Sequence, residues 1–292
     1  TVLLDNLEEK YDRKFGFNAL VDVNIPVCLG IGRYSSLGSA FLRAFNSAFD
    51  IHMNSKDSVN ITQGTEKDII EQISNRGHHF TSILNPAKSL VLTDLRKDDP
   101  SFIPFPTNKY SIVLTDTKID IKNPSKICNE RIEECQVGVK GLRLYIWGIK
   151  NLRDVKKDFL ERHIHMIPRL VYKRCYYNVT ERERVEKAID AIEKRKFDEF
   201  GKIICDSHQS LRTDYDLSTD MLDFISQNAC KYDGVLGSKM ISCSPRRSVF
   251  NLVQKNFADE FIELIQQDFS EKYKEELEIH KLNLIEGAEY LN

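Results

Sequence analysis

The residues best suited to chemistry are the glycines and serines of Gly30-Ile31-Gly32-Arg33-Tyr34-Ser35-Ser36-Leu37-Gly38-Ser39. From Ser39 the apolar side chains Ala40, Phe41, Ala44, Phe45, Ala48 and Phe49 recur at helical spacing, which predicts a helix over 39–49. Upstream, residues 21–27 alternate apolar and polar side chains and meet Pro26, as a half-buried strand does. A strand, a Gly/Ser loop and a helix N-terminus in that order can cradle phosphate, because unpaired N–H groups and the helix dipole both face an anion there. The residues expected to do so are Gly30, Gly32, Ser35, Ser36 and Ser39. The same text also reads as a turn that merely caps a helix.

Two further groups invite chemistry. His78-His79 can accept a proton in principle, but an adjacent pair in a polar stretch reads as a solvated loop, and no Cys, Asp or Glu joins it at metal-ligand spacing. Arg246-Arg247 can attract an anion, or can be an exposed basic pair at a turn.

The remaining pattern supplies the frame. Residues 54–68 are charged and read as mobile, followed by a short helix over 68–74. Strands are expected at 89–95 and 110–115, and the three prolines of 100–107 call for a loop. Helices are expected at 129–139 and 154–160. Thr180 with Glu183 forms a capping box that predicts a helix start, with Val185, Ile189 and Ile192 buried and an end near Lys194. Residues 207–218 read as a polar loop, 219–230 as a helix, 249–253 as a strand, the Phe257, Phe261, Ile262, Ile265 series as a helix, and 282–285 as a strand. This is an α+β chain in two lobes.

The 42 Lys and Arg nearly balance 44 Asp and Glu, so there is no basic field for nucleic acid or anionic lipid. Seven scattered cysteines without a C-x-x-C pair point to a reducing cytoplasm. No apolar run reaches membrane-span length, and the first residues lack a signal-type pattern. The partners expected are small molecules or a protein, with no nucleic acid and no membrane.

One block goes further. Ser207-His208-Gln209-Ser210-Leu211-Arg212-Thr213-Asp214-Tyr215-Asp216-Leu217-Ser218 matches S-H-x-S-L-R-x-D-Y-x-x-S at every fixed position. With Asn129 to Cys135, Asn151-Leu152-Arg153-Asp154-Val155 and Glu181 to Val185, it makes the chain resemble the galactokinases of the GHMP small-molecule kinase superfamily. The resemblance implies the GHMP fold, with a partial nucleotide-side lobe over 1–125 and a ferredoxin-like C-terminal lobe over 126–292. It also implies Mg-ATP as the phosphoryl donor, with Ser39 nearest the magnesium ion, and galactose or a related sugar, phosphorylated at O1, as the acceptor.

The same family patterns show where the chain departs. The family loop P-x-G-x-G-L-S-S-S-A is interrupted by about three extra residues and by Arg33-Tyr34, and a nest of N–H groups depends on register. The catalytic Asp belongs to a G-x-M-D-Q-like segment, and residues 78–87 hold no carboxylate. In the glycine-rich third motif Gly234, Gly237, Ser238, Lys239 and Met240 remain, but Ser242 to Arg247 replace the later glycines. The amino-terminal sugar motif has no counterpart, and Cys128 stands where the family usually has a Tyr. His208, Arg212, Asp214 and Tyr215 are expected to form a structural network. The expected function is therefore a galactokinase-like protein of weak or no activity and no assigned catalytic residue, or else a silent sugar- or nucleotide-binding sensor or scaffold.

Overall fold

The computed structural model describes residues 2–26, 29–70, 74–241 and 246–288. The chain folds as two compact units, one through Thr107 together with the segment from Asn283, the other from Asn108 to Leu282.

The first unit holds helices α1 (Val2–Tyr11), α2 (Arg33–Ala48), α3 (Ser55–Ile70) and α4 (Arg76–Leu84), then an antiparallel pair, β1 (Ser89–Asp94) and β2 (Asp99–Pro104). Leu7, Phe15, Leu42 and Phe45 form its apolar centre, and Phe15, Phe41, Phe45 and Phe49 meet ring to ring. Several expectations are corrected here. Residues 21–26 form no strand, and Val21 is exposed, because alternation without a neighbouring strand closes no ladder; Val27 lies outside the described residues. Helix α2 opens at Arg33, six residues before Ser39, so the serines lie in its first turns. The "mobile" stretch is α3, whose buried face carries Ser58, Thr62 and Thr65. Each turns its hydroxyl back to a carbonyl four residues earlier, so apolar periodicity is hidden. Helix α3 ends at Ile70, residues 71–73 lie outside the described residues, and Ser74 is not helical. Residues 99–104 are a strand despite two prolines, since both strands of a two-stranded sheet are edges.

The second unit has a four-stranded antiparallel sheet, ordered β4-β5-β3-β6, from β3 (Tyr110–Asp120), β4 (Val235–Ile241), β5 (Arg246–Gln254) and β6 (Glu278–Leu282). Between β3 and β4 come α5 (Pro124–Arg143), α6 (Lys157–Arg162), α7 (Arg169–Glu193), α8 (Phe197–Ser210) and α9 (Asp220–Ala229); α10 (Ala258–Tyr273) joins β5 to β6. This β-α-β-β-α-β order is a ferredoxin-like arrangement, and its first strand, β3, lies before the expected lobe boundary at 125. Val249, Val253, Phe261, Ile265 and Phe269 pack sheet against helix, while Val139, Leu142, Leu160, Val171 and Cys175 form a second centre.

Three readings change here too. Thr180 does not start a helix; it lies inside α7 and donates to the Tyr176 carbonyl at 2.8 Å. The buried side chains Val171, Cys175 and Val179 carry α7 through that point. Ile192 is buried and Ile189 half-buried, but Val185 is exposed. Residues 207–215 are helical, ending in one wide π-type turn (Leu211–Tyr215), since their polar side chains are paired internally. The last strand ends at Leu282, three residues before Ile285. Cys205 is bonded to Cys230, linking the residues after α9 to α8, and Cys128 is also in a disulfide.

Candidate functional site

In the first unit, Gly30 and Gly32 take left-handed backbone conformations, φ 72° and 80°, and Gly32 caps α2. A Cβ on Gly32 would sit 3.0 Å from the Cβ of His78, so α2 opens directly against α4. The first-turn N–H groups have no intrahelical acceptor.

The predicted serines divide by partner. Ser39 Oγ donates to the Ser35 carbonyl at 2.7 Å, so its proton serves the helix. Ser36 Oγ lies 3.3 Å from Ser82 Oγ. Ser35, fully buried, is the one whose hydroxyl reaches a carboxylate, 3.4 Å from Glu66 Oε2.

Glu66 is the functional candidate that sequence reading passed over. Its Oε2 lies 2.6 Å from His79 Nε2 and accepts from Ser74 Oγ at 2.7 Å. Burial pushes the carboxyl pKa up, but hydrogen bonds from His79 and Ser74 outweigh burial and hold it below the ordinary value. The signal was the spacing Ser58, Thr62, Glu66, one face of a helix at steps of four. His78 and His79 are no solvated loop: both lie on α4, and His79 is completely buried. Burial also lowers the His78 pKa.

Counted from Gly77, the motif G-x-M-D-Q places His79 at Met and Phe80 at Asp. Phe80 is 2% exposed, with the Arg76 guanidinium 5.1 Å over its ring. Beside Glu66 a cavity of about 560 Å³ is walled by Phe17, Leu37, Phe41, Thr62 and Ile69, a size and lining suited to a small ligand. The oxygens of Ser35 and Glu66 are the donor type magnesium takes. As arranged they do not fit it, since Oε2 already receives His79 and Ser74.

In the second unit, Lys239 Nζ bridges Glu181 Oε1 and Ser207 Oγ, each at 2.6 Å. His208 accepts from the Met240 N–H at 3.1 Å through Nδ1 and faces Asp223 at 3.2 Å through Nε2; Arg212 meets Asp223 at 2.9 Å. Asp214 accepts from Ser210 at 3.0 Å, and Tyr215 stacks on Tyr177. The block thus ties α7, α8, α9 and β4 together, as a structural network does. Arg246 and Arg247 are not an exposed pair at a turn, because both begin β5. Arg246 pairs with Asp120 at 3.0 Å. Arg247 is 3% exposed and donates to the Leu217 carbonyl, while its Nε and Nη2 have no partner among the described residues.

No protein-family model matches the chain. The galactokinase of Limosilactobacillus reuteri (strain DSM 20016) is 24% identical over 277 residues, 94% of this chain and 70% of that protein. The galactokinase of Thermotoga neapolitana is 24% identical over 269 residues, 92% and 74% of the two chains. Among solved structures, Lactococcus lactis galactokinase complexed with galactose superposes with TM-score 0.87 at 21% identity, covering 99% of this chain and 75% of that one. Methanococcus jannaschii mevalonate kinase gives 0.60 at 16% identity, covering 97% and 74%.

Proposed function

We propose that this chain, which has the GHMP kinase fold and galactokinases as homologues, is a galactokinase-like protein that binds small molecules and does not transfer phosphate to galactose at a useful rate. The observation that carries this reading is that residues 78–87 hold no carboxylate, and that Phe80, the Asp position when the motif is counted from Gly77, is a buried apolar ring. A sugar hydroxyl attacks phosphorus well only when a placed base takes its proton, a contribution of about 10²–10⁴-fold. Residues 78–87 offer no carboxylate, and His79 is engaged by Glu66 and Thr62.

Nucleotide binding is the part of the family reaction this reading keeps, in weakened form. Gly30, Gly32 and the first turn of α2 still present N–H groups suited to a phosphate, and the cavity beside Glu66 gives a small ligand room. Mg-ATP is expected to bind no tighter than millimolar, about −4 kcal/mol. Isothermal titration with Mg-ATP tests this, and micromolar affinity would refute it. The alternative of a silent sensor for a sugar or nucleotide, or a scaffold for a protein partner, follows if such binding occurs without turnover.

Among the described residues no helix is long and apolar enough to cross a membrane. The cytoplasmic setting expected from the scattered cysteines belongs to this proposal as well. A reducing compartment would tend to open the Cys205–Cys230 bond, so the thiol count of protein taken from cells under alkylation checks it.

A further inference from the structure

We infer that His79, as an imidazolium, stands in for a divalent cation at the Glu66 carboxylate, so that this chain neutralises that group with its own side chain and takes no metal there. The inference stands on the ring's hydrogen-bond geometry. Thr62 Oγ1 donates its one proton to the Ser58 carbonyl at 2.8 Å, so toward His79 Nδ1, 2.9 Å away, it can only accept. Nδ1 therefore carries a proton. The Nε2 of the same ring lies 2.6 Å from Glu66 Oε2, an acceptor, and carries the second. Both nitrogens donate, and a doubly protonated imidazole is a cation.

The ring has no room to leave. Its side chain is fully buried, and Glu66 is 10% exposed. A divalent ion at Oε2 would meet a positive ring within a few ångströms, a repulsion that burial leaves little screened. Ser35 Oγ and Glu66 would otherwise be a serviceable pair of oxygen ligands beside the first turn of α2. A phosphate approaching that turn therefore meets backbone N–H groups without a metal at Glu66.

The inference rests on reading Gly30–Ser39 as a phosphate loop, and it is separable from the absence of turnover. Galactose phosphorylation with Glu66 free of metal would overturn the proposed function and leave this inference standing. The test is Mn²⁺ titration followed by electron paramagnetic resonance, without nucleotide, on the full chain and on His79→Met, Glu66→Gln and the double variant. The wild type is expected to show no saturable site in the millimolar range. His79→Met is expected to gain one, tightening binding by about tenfold or more, and the double variant to lose it. Saturable wild-type binding that disappears in Glu66→Gln would overturn the inference, as would a folded His79→Met that gains nothing. Should His79→Met fail to fold, ¹⁵N spectra of the wild-type imidazole decide. Two protonated nitrogens unmoved by Mg²⁺ are expected, and a neutral ring or a Mg²⁺-dependent shift contradicts it.

Discussion

Gly201 on α8 and Gly237 on β4 lie backbone against backbone. A Cβ added to Gly237 would sit 2.4 Å from the Gly201 carbonyl oxygen, and one added to Gly201 would sit 2.1 Å from the carbonyl oxygen of Leu236. Those partners are main chain and cannot swing aside. Gly201→Ala is therefore expected to lower unfolding free energy by about 3 kcal/mol, the upper end of overpacking costs. Urea denaturation measures it, and an unchanged midpoint would show that helix and strand are not held this closely.

Glu181 governs an acid response in the same unit. Burial pushes its carboxyl pKa up, but the Lys239 charge and hydrogen bonds from Lys239, Ser207 and Arg184 outweigh burial and hold it below the ordinary value. A carboxyl lowered on folding adds stability that is full above its unfolded pKa, about 4.3, and is lost as pH falls through the folded value. Glu181→Gln is expected to cost about 1–3 kcal/mol at neutral pH, since Lys239 loses its counter-ion. It is also expected to flatten the fall in melting temperature below about pH 5. Parallel melting curves for the two proteins would expose an error.

Arg247 is expected to behave in the opposite sense. Its guanidinium is 3% exposed, and among the described residues two of its nitrogens lack acceptors and it has no ion-pair partner. Burial and the nearby Arg131 charge both depress its pKa. Exchanging such a group for an apolar one of similar reach is often neutral or stabilising. Arg247→Leu should leave thermal stability unchanged or raise it by about 1 kcal/mol, and a loss larger than that in calorimetry would mean that its bond to the Leu217 carbonyl outweighs the burial of its charge.

The Cys205–Cys230 bond closes a stretch of 25 residues, which in the chain-entropy treatment stabilises by about 3 kcal/mol. Reduction should lower the denaturation midpoint accordingly, and Cys230→Ala should be insensitive to reductant at that site. Identical midpoints with and without reductant would contradict the bond.

Elements with apolar periodicity were readable directly. The strands at 89–94 and 110–120 and the helix around Phe261 and Ile265 stand where their patterns put them. The polar block from Ser207 identified the superfamily fold, though its own helical conformation was hidden because its buried side chains are Ser207, His208 and Ser210. The same masking concealed α3, where hydroxyls occupy the inner face, and with it Glu66. No local rule could pair Glu66 with His79, thirteen residues away, because that contact is made by packing α3 on α4.

On the proposed reading a galactokinase-like fold persists here without the family's transfer chemistry, with the apolar ring of Phe80 at the Asp position counted from Gly77. ³¹P spectra of the purified chain incubated with galactose and saturating Mg-ATP test it most directly, by following galactose 1-phosphate against time. The expected result is no galactose 1-phosphate above that in a protein-free control. Its steady accumulation in proportion to the amount of protein would contradict the account.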